Sequence, residues 1–338
     1  MKTIEEVEET MTVPSQELIQ DLCSLEGDLL ILGIGGKMGP TLAKMAVKAF
    51  QKGNCPKKVI GVSRFSSGTL KSDLESSGVE TIAADLMDDQ QLQALPNVKN
   101  VIYMAGNKFG TKGNEHYTWS MNAYLPGRVA EKFKNSRIVV FSTGNVYPLV
   151  PITQGGCDEE HPVNPIGEYA QSCLGRERIF TNFSYRHHTP MTIFRLNYAI
   201  DMRYGVLMEI ARQVYTGKPI DLTMGHVNVI WQGDANEYAL RSLKMADSPP
   251  VILNATGPET ISVRWLAEQF GKLFNKEVAF VNEEQPTALL NNSSKAHHHF
   301  GYPKVSLNQM INWTAEWVKD DGYVLEKPTH FQERQGAY

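Results

Sequence analysis

The sequence predicts an α/β protein: a Rossmann-type, doubly wound parallel sheet with a smaller C-terminal lobe. Short apolar runs alternate with helix-like stretches along the first half of the chain, as in a parallel sheet covered on both faces. The first of these runs ends in a glycine-rich turn that leads directly into a helix. Beyond about residue 197 the alternation becomes irregular and long helix-like stretches replace it. Together these observations predict one sheet domain and one appended lobe.

The predicted elements follow in order along the chain. Residues 1–27 carry leucines at helical spacing in a polar background, which predicts an N-terminal helical extension. Strands are predicted from DLLILGI (28–34), KKVIGVS (57–63), VETIAA (79–84), NVIYMAG (100–106) and RIVVFST (137–143). Helices are predicted over GPTLAKMAVKAFQKG and NAYLPGRVAEKFKN, and later over 205–216, 261–274 and 305–319. The sheet domain would then comprise 28–196 with about 226–255, the lobe 197–225 and 256–325, and a tail 326–338.

The composition argues against several classes of protein. A net charge of −4 gives no basic surface for nucleic acid, no apolar run is long enough to cross a bilayer, and the acidic start MKTIEEVEET is no signal peptide. The cysteines Cys23, Cys55, Cys157 and Cys173 lack zinc-like spacing, so we expect reduced thiols in a cytoplasmic protein. The adjacent histidines 297–299 point in different directions on a helix, so no metal site is predicted.

The turn after the first strand has the glycine spacing of a dinucleotide-binding site. Gly33, Gly36 and Gly39, with Lys37 and Met38 between them, connect the strand to the helix. Glycines permit the tight turn and the close approach of a pyrophosphate, whose charge then lies at the helix N-terminus. A tight turn without a ligand is the alternative, but the position in the first strand–helix unit favours a dinucleotide.

The ends of the next two strands bear on the choice of cofactor. Ser63 and Arg64 follow the second strand, where an acidic residue would bind the ribose hydroxyl of NAD, so NADP is preferred over NAD. Arg64 could instead stack on the adenine or be a solvated loop charge. Asp85, which precedes Leu86, ends the third strand and is a candidate for the adenine amino group or, equally, for a helix N-cap.

With this glycine turn, FSTGNVY and EYAQSC in order, the chain resembles the extended short-chain dehydrogenase/reductase family, the NAD(P)-dependent sugar-nucleotide epimerases and dehydratases. The resemblance covers residues 28 to about 320. It matches Thr143 to the catalytic serine or threonine of the family's SxxVYG segment and Tyr169 to the catalytic tyrosine. Asn122 matches the helix asparagine of the family, and Glu177 matches a glutamate in the tyrosine's helix.

The motifs and the resemblance together predict three sets of site residues. The catalytic set is Tyr169 and Thr143, with Cys173 at the position of the family's lysine. The cofactor-binding set is Gly33, Gly36, Lys37, Met38, Gly39, Ser63, Arg64, Asp85, Leu86, Ala105, Gly106 and Asn122. The substrate-binding set is Lys108, Asn145, Tyr147 and Asn197.

Several departures from the family pattern bear on the reaction. Gly144 and Asn145 stand where the dehydratases carry an Asp-Glu pair, which argues against dehydration. The loop YMAGNKFG replaces the usual His-x-Ala-Ala sequence after the fourth strand. Cys173 occupies the position of the catalytic lysine, four residues after Tyr169.

The cysteine changes the expected acid–base chemistry. A free tyrosine titrates near pH 10, and a lysine at about 4 Å in an effective dielectric of about 20 would stabilise its phenolate by about 4 kcal/mol, or about three pKa units. Cys173 brings no positive charge, so we expect Tyr169 to stay protonated at neutral pH and to act as a general acid more readily than as a base. We interpret Cys173 as a buried thiol that fills space, with a nucleophilic role as the alternative.

Two loop lysines could replace the missing cation. Lys108 and Lys112 lie in the loop after the fourth strand, which borders the nicotinamide pocket in this architecture, although solvated loop charges are the favoured interpretation. Arg176 follows Tyr169 by seven residues, about two helical turns, so we expect it to lie too far away.

Two functional hypotheses result. The first is an NAD(P)-dependent epimerase or reductase that acts on a sugar, sugar acid or nucleotide sugar, with Tyr169 and Thr143 at the reacting oxygen. The second is a non-catalytic NAD(P)-binding protein with a degenerate active site. The presence of both Tyr169 and Thr143 favours the enzyme. The resemblance also implies a homodimer formed through the helices that contain Asn122 and Tyr169.

Overall fold

The computed structural model describes residues 2–66, 68–108 and 110–337. Its central sheet is formed by β1 (Leu29–Leu32), β2 (Val59–Ser63), β3 (Glu80–Ala83), β4 (Asn100–Tyr103), β5 (Arg137–Thr143), β6 (Met191–Leu196) and β7 (Val251–Ala255). The strands lie in the order β7-β6-β5-β4-β1-β2-β3, and every neighbouring pair is parallel. The predicted Rossmann-type parallel sheet is therefore confirmed, and the five predicted strands coincide with β1 to β5.

Helices cover the sheet and build most of the C-terminal half. They are α1 (Ile4–Met11), α2 (Gln16–Ser24), α3 (Gly39–Lys52), α4 (Leu70–Ser76), α5 (Asp89–Ala94), α6 (Glu115–Trp119), α7 (Leu125–Lys132), α8 (Gly167–His187), α9 (Val206–Thr216), α10 (Gln232–Arg241), α11 (Val263–Phe274), α12 (Ser294–Phe300) and α13 (Leu307–Lys319). A π-helix, Ser120–Tyr124, connects α6 to α7. Within the described ranges, none of these helices has the length and apolarity needed to cross a membrane.

Short strand pairs and single helical turns complete the secondary structure. Val150–Pro151 pairs with Thr287–Ala288, Ala199–Ile200 with Ile230–Trp231, Ile220–Asp221 with Phe280–Val281, and His226–Val227 with Ile261–Ser262. The 3₁₀ turns are Gly144–Val146, Ile152–Gln154 and Ser242–Met245.

Both faces of the central sheet are buried. Along β1, Leu29 and Ile31 belong to one core cluster with residues of α3 and α10, whereas Leu30 and Leu32 belong to another with residues of α7 and α8. Successive strand residues point to opposite faces, so a strand covered on both sides needs an uninterrupted apolar run. A third cluster fills the C-terminal half and packs α9, α11 and α13 together.

The N-terminal extension consists of two helices and is part of the folded body. Ser15 accepts a hydrogen bond from the backbone N–H of Leu18 at 3.0 Å and so caps α2. Pro14 precedes this cap and separates α2 from α1. Val7 and Met11 of α1 are fully buried in the core cluster of the C-terminal half.

The prediction that all four cysteines are reduced is wrong for one pair. Cys23 and Cys55 form a disulfide with a Cα–Cα distance of 5.9 Å, whereas Cys157 and Cys173 are free and buried. The pairing joins the end of α2 to the loop before β2 across a separation of 32 residues, so no local spacing signalled it. The cysteine pattern therefore no longer supports an assignment to the cytoplasm.

Candidate active site

The three glycines of the first turn have three different structural roles. Gly33 has a φ of +84°, and a Cβ there would lie 2.7 Å from the backbone nitrogen of Ala105. A Cβ at Gly39 would lie 2.1 Å from the carbonyl oxygen of Ile34, so this glycine permits the close packing of α3 on the turn. A Cβ at Gly36 would meet only the Gly33 oxygen, at 3.5 Å, so the second glycine leaves its backbone open to a ligand. These are the roles that a dinucleotide-binding turn requires.

The N-terminus of α3 is open to an anion. No side chain caps it, and Pro40 lies in its first turn. Its unpaired backbone N–H groups and the helix dipole therefore favour a negative charge at this position. Beside it, Lys37 donates a hydrogen bond to the Ala199 carbonyl at 2.9 Å and lies 3.9 Å from the centre of the Tyr204 ring. Burial lowers the pKa of Lys37 to about 7.

A cavity of about 420 Å³ begins at this turn and continues past the ends of β4, β5 and β6 to the first residues of α9. Ten of the predicted site residues line it: Gly33, Gly36, Lys37, Met38, Gly106, Lys108, Thr143, Asn145, Tyr169 and Asn197. The cavity therefore brings the predicted glycine turn, the predicted catalytic pair and most of the predicted substrate contacts into one site.

Tyr169 and Thr143, the predicted catalytic pair, both lie in the wall of the cavity. Thr143 ends β5 and Tyr169 lies in the first turn of α8, and a hydrogen bond links their side chains. Thr143 is oriented by Asn145, because its hydroxyl donates to Asn145 Oδ1 at 2.8 Å. Burial, followed by the effect of Cys173, raises the pKa of Tyr169 well above 10, against the opposing charge of Arg176. The phenol is thus protonated at neutral pH, as the sequence predicted.

Cys173 lies beneath the tyrosine and not in the cavity wall. Its side chain is fully buried, and a hydrogen bond links it to Tyr169. Burial raises the pKa of the thiol, so it is protonated at neutral pH. Both features agree with the interpretation of Cys173 as a space-filling thiol.

The two loop lysines differ in their surroundings. Lys108 lines the cavity, and its Nζ lies 5.9 Å from the centre of the Tyr169 ring. Burial lowers its pKa to about 8. The favoured interpretation of Lys108 as a solvated charge is therefore wrong, because the loop folds it into the cavity. Lys112 is exposed and fits that interpretation.

The expectation that Arg176 lies too far from Tyr169 is also wrong. A long side chain on a helix points back towards the N-terminus, so its end group lies about one turn before its own Cα. The guanidinium is close enough to Tyr169 and Cys173 to lower the pKa of both. Arg176 itself is only 6% exposed. The number of residues between two helical positions gives the distance between their Cα atoms but not the reach of a long side chain.

Other predicted contacts lie inside the protein. Asn122 is fully buried; its Oδ1 accepts from Arg176 and from the backbone of Asn107, both at 2.8 Å. The Tyr147 hydroxyl donates to Asn254 at 3.0 Å and accepts from Arg195 at 2.7 Å, so the structure places it in the core beside the cavity. Neither side chain lines the cavity.

The residues predicted for the adenine end lie outside this cavity. Arg64 is exposed after β2, and a Cβ at Gly35 would lie 2.6 Å from Ser63 Oγ, so Ser63 borders the glycine turn. Asp85 accepts from the backbone of Met87 at 2.9 Å, and the N-cap of α5 is Asp88. The alternative of Asp85 as the helix cap is therefore wrong. Leu86 and Ala105 are both buried. Their contacts with a cofactor stay predictions.

Several lining residues were not predicted from the sequence. They are Met104, Asn107, Phe141, Ser142, Leu196, Tyr198, Ala199, Ile200, Tyr204, Gly205, Val206, Lys327 and Thr329. The stretch 198–206 follows β6, so its position at the carboxyl edge of the sheet was a usable signal. Lys327 and Thr329 belong to the C-terminal segment (residues 326–337), which no motif connects with the site.

A family model described as the NAD dependent epimerase/dehydratase family matches residues 29–229. The chain belongs to this family. The match confirms the resemblance inferred from the glycine turn and the tyrosine segment. It spans every strand from β1 to β6 and both residues of the predicted catalytic pair. No curated protein matches the chain in sequence.

Solved structures of family enzymes share the fold at low sequence identity. A UDP-glucuronic acid 4-epimerase of Bacillus cereus, solved with a fluorinated UDP-glucuronic acid analogue and NAD, is 18% identical with a TM-score of 0.70 and covers 86% of this chain and 99% of its own. A UDP-glucose 4-epimerase of Thermotoga maritima, solved with UDP-glucose, is 16% identical with a TM-score of 0.69 and covers 87% and 99%. A dTDP-glucose 4,6-dehydratase of Bacillus anthracis, solved with NAD, is 17% identical with a TM-score of 0.70 and covers 88% and 97%.

Proposed function

We propose that the chain is an NAD(P)-dependent oxidoreductase that acts on an anionic, carbohydrate-derived substrate, with Tyr169 and Thr143 at the reacting oxygen. The observation that carries this proposal is the hydrogen-bonded Tyr169–Thr143 pair in the wall of a cavity that begins at the glycine turn. A binding protein without catalysis would not need these two side chains to meet.

The glycine turn would hold the cofactor. The open backbone at Gly36 and the uncapped N-terminus of α3 fit a pyrophosphate. Bound at this turn, the nicotinamide cofactor would exchange a hydride with the substrate carbon. NADP is preferred, because the exposed Arg64 follows β2 and no acidic residue stands beside it.

The cavity favours a substrate with a negative charge. Lys37, Lys108 and Lys327 line it, and its described lining residues include no aspartate or glutamate. The first residues of α9, whose N-terminus no side chain caps, also border the cavity. Sugar acids and nucleotide sugars carry such charge, and the Bacillus cereus enzyme was solved with a UDP-glucuronic acid analogue. The amide nitrogen of Asn197, buried in the cavity wall without a partner among the described residues, adds a donor for a sugar hydroxyl.

The protonation state of Tyr169 favours the reductive direction. A neutral phenol can donate its proton to a carbonyl oxygen, whereas abstracting a proton from an alcohol would need the phenolate first. Thr143 would hydrogen-bond the same oxygen and fix its position. Cys173 takes no part in this chemistry, because it lies outside the cavity wall.

Two measurements test the proposal. Fluorescence titration with NADPH and NADH should show binding of both, with NADPH tighter. NADPH oxidation should then be followed with a panel of keto-sugars, keto-sugar acids and nucleotide keto-sugars. We expect Tyr169→Phe to remove most turnover and Cys173→Ala to change it little. Loss of turnover in Cys173→Ala alone would replace the tyrosine mechanism by a thiol mechanism, and cofactor binding without turnover on any substrate would support a non-catalytic protein.

The homodimer implied by family resemblance stays a prediction. Trp119, Tyr124 and Tyr185, which lie on or beside the helices concerned, are 38%, 60% and 62% exposed. Sedimentation of the purified protein tests it directly.

A further inference from the structure

Arg176 is a buried cation without a carboxylate partner among the described residues. Its Nη1 donates to the Phe141 carbonyl and its Nη2 to Asn122 Oδ1, each at 2.8 Å, whereas its Nε has no partner there. The neighbouring acid, Glu177, is bound by Arg195 through two hydrogen bonds of 2.9 and 2.7 Å. Burying an unpaired charge costs several kcal/mol, so such a group calls for a functional explanation.

The guanidinium acts electrostatically on Tyr169 and on Cys173, the residue at the position of the family's lysine. Arg176 follows Cys173 by three residues, and its guanidinium is hydrogen-bonded to Asn122, whose amide nitrogen donates to Ser172, the residue before Cys173. The ionisable groups that interact with it are Cys173, Tyr103, Tyr169 and Glu177. Its Cζ lies 5.7 Å from the centre of the Tyr103 ring, which forms one side of its site.

The surrounding residues make room for this group. A Cβ at Gly106 would lie 2.5 Å from Arg176 Nη2 and 3.0 Å from Asn122 Oδ1. Gly106 stands in the loop that replaces the His-x-Ala-Ala sequence of the family. The guanidinium therefore meets both this loop, at Gly106, and the residue at the position of the family's lysine, Cys173.

We propose that Arg176 supplies the buried positive charge that the family's lysine supplies from position 173, and that it acts on Tyr169 as a positioning residue. Its hydrogen bonds go to oxygens of the protein, and its side chain does not line the cavity. Among the described residues, the groups that interact with Tyr169 include Thr143 from β5, Cys173 and Arg176 from α8, and Lys108 from the loop after β4. Lys108 lies towards the ring face and lines the cavity, so its charge faces the ligand.

The charge is needed at one moment of the reaction. When Tyr169 gives its proton to the substrate oxygen, the phenol O–H bond breaks, the substrate O–H bond forms and a buried phenolate remains. A cation nearby stabilises that phenolate, which makes the proton transfer more favourable. This kinetic consequence rests on the proposed function, but the effect of Arg176 on the acidity of Tyr169 does not.

The test measures that acidity without substrate or cofactor. A ring-fluorinated tyrosine, whose phenol is a stronger acid, is placed at position 169 and its ionisation is followed by fluorine NMR. Arg176→Met, which removes the charge but keeps a long side chain, should raise the ionisation pH by about one unit or more. Arg178→Met removes a charge from an exposed position of the same helix and should leave it unchanged. An ionisation pH that is the same in wild type and Arg176→Met overturns the proposal.

A rescue experiment separates charge from packing. The double variant Cys173→Lys with Arg176→Ala restores the family's lysine and vacates the guanidinium site, so the ionisation pH should return towards the wild-type value. Arg176→Lys should also stay near wild type. If Arg176→Met does not fold, these two variants decide, and failure of both to keep the wild-type ionisation pH overturns the proposal.

Where turnover has been found, kcat should fall in Arg176→Met and recover in the double variant, with little change in KM. Absence of turnover in the wild-type protein contradicts the proposed function only.

Discussion

On the proposed function, Lys108 should make the binding of an anionic ligand depend on pH. Burial lowers its pKa to about 8, while Cys173 and Glu209, which face it, act in the opposite direction. Below pH 8 the ammonium is charged and attracts an anion. As the pH rises through about 8 the charge is lost, and the attraction is lost with it.

We therefore expect the affinity for a sugar acid to fall as the pH is raised from 7 to 9. Calorimetry with glucuronate, or with the sugar acid that the turnover screen identifies, measures this dependence. Lys37 lines the same cavity with a pKa of about 7, so Lys108→Met should bind more weakly at pH 7 and lose the part of the change centred near pH 8 while keeping the part centred near pH 7. Lys112→Met removes a charge from an exposed position of the same loop and is the control. A wild-type affinity that does not vary over this range would count against Lys108 as the anion contact.

Arg64 gives a second prediction at the scale of a residue. A hydrogen bond to a charged group contributes about 1.5–3 kcal/mol, so Arg64→Ala should weaken NADPH binding by about tenfold or more. NADH lacks the 2′-phosphate and should bind the variant about as well as the wild-type protein. Fluorescence titration of both cofactors compares the two. Equal losses for NADPH and NADH would show that Arg64 acts elsewhere, for example by stacking on the adenine.

At the scale of an element, α1 contributes to the core of the C-terminal half. Met11 is fully buried in that core, and removing a buried methionine side chain costs about 2–5 kcal/mol. Met11→Ala should therefore lower the free energy of unfolding by about that amount in urea denaturation. Thr10→Ala, at an exposed position of the same helix, should change it by less than about 0.5 kcal/mol. Equal stability of the two variants would mean that α1 does not hold the fold together.

The elements that the sequence predicted well are those that depend on local pattern. Apolar runs located β1 to β5, and glycine spacing located the turn at Gly33, because strand burial and tight turns are determined by a few consecutive residues. The Cys23–Cys55 pair and the position of Lys327 depend on packing between distant segments, which no local pattern encodes. The proximity of Arg176 to Tyr169 depends on the direction of its side chain, which the number of residues between them does not encode.

At the scale of the whole molecule, the C-terminal segment closes one side of the cavity. Thr329 donates through its hydroxyl to Glu209 at 2.8 Å and through its backbone N–H to the same carboxylate, and Phe331 is fully buried in the core of the C-terminal half. Arg334 donates to the side-chain and backbone oxygens of Thr287, both at 2.6 Å. Lys327 and Thr329 reach the cavity wall from this anchored segment.

Loss of the Phe331 anchor should release the segment without unfolding the protein. Replacing a buried phenylalanine by alanine costs about 3–5 kcal/mol, and the segment can detach without disrupting the central sheet. Phe331→Ala should therefore accelerate hydrogen exchange in residues 326–337 and leave the exchange of β1 and β5 unchanged. Gln335→Ala, at an exposed position, is the control. Unchanged protection of the segment would show that its polar contacts hold it alone.

The space at Gly106 also constrains the order in which these positions changed during evolution. An alanine there would place its Cβ 2.5 Å from the guanidinium nitrogen, so the guanidinium would have to shift from its present hydrogen bonds with Phe141 and Asn122. On the proposal for Arg176, we therefore expect glycine at this position to have come before the arginine, and the lysine to have been lost only after both. Among relatives, we expect chains that keep lysine at the position of Cys173 to lack the arginine and to carry either alanine or glycine at the position of Gly106. A relative with cysteine and alanine at these two positions should have lost the buried charge altogether.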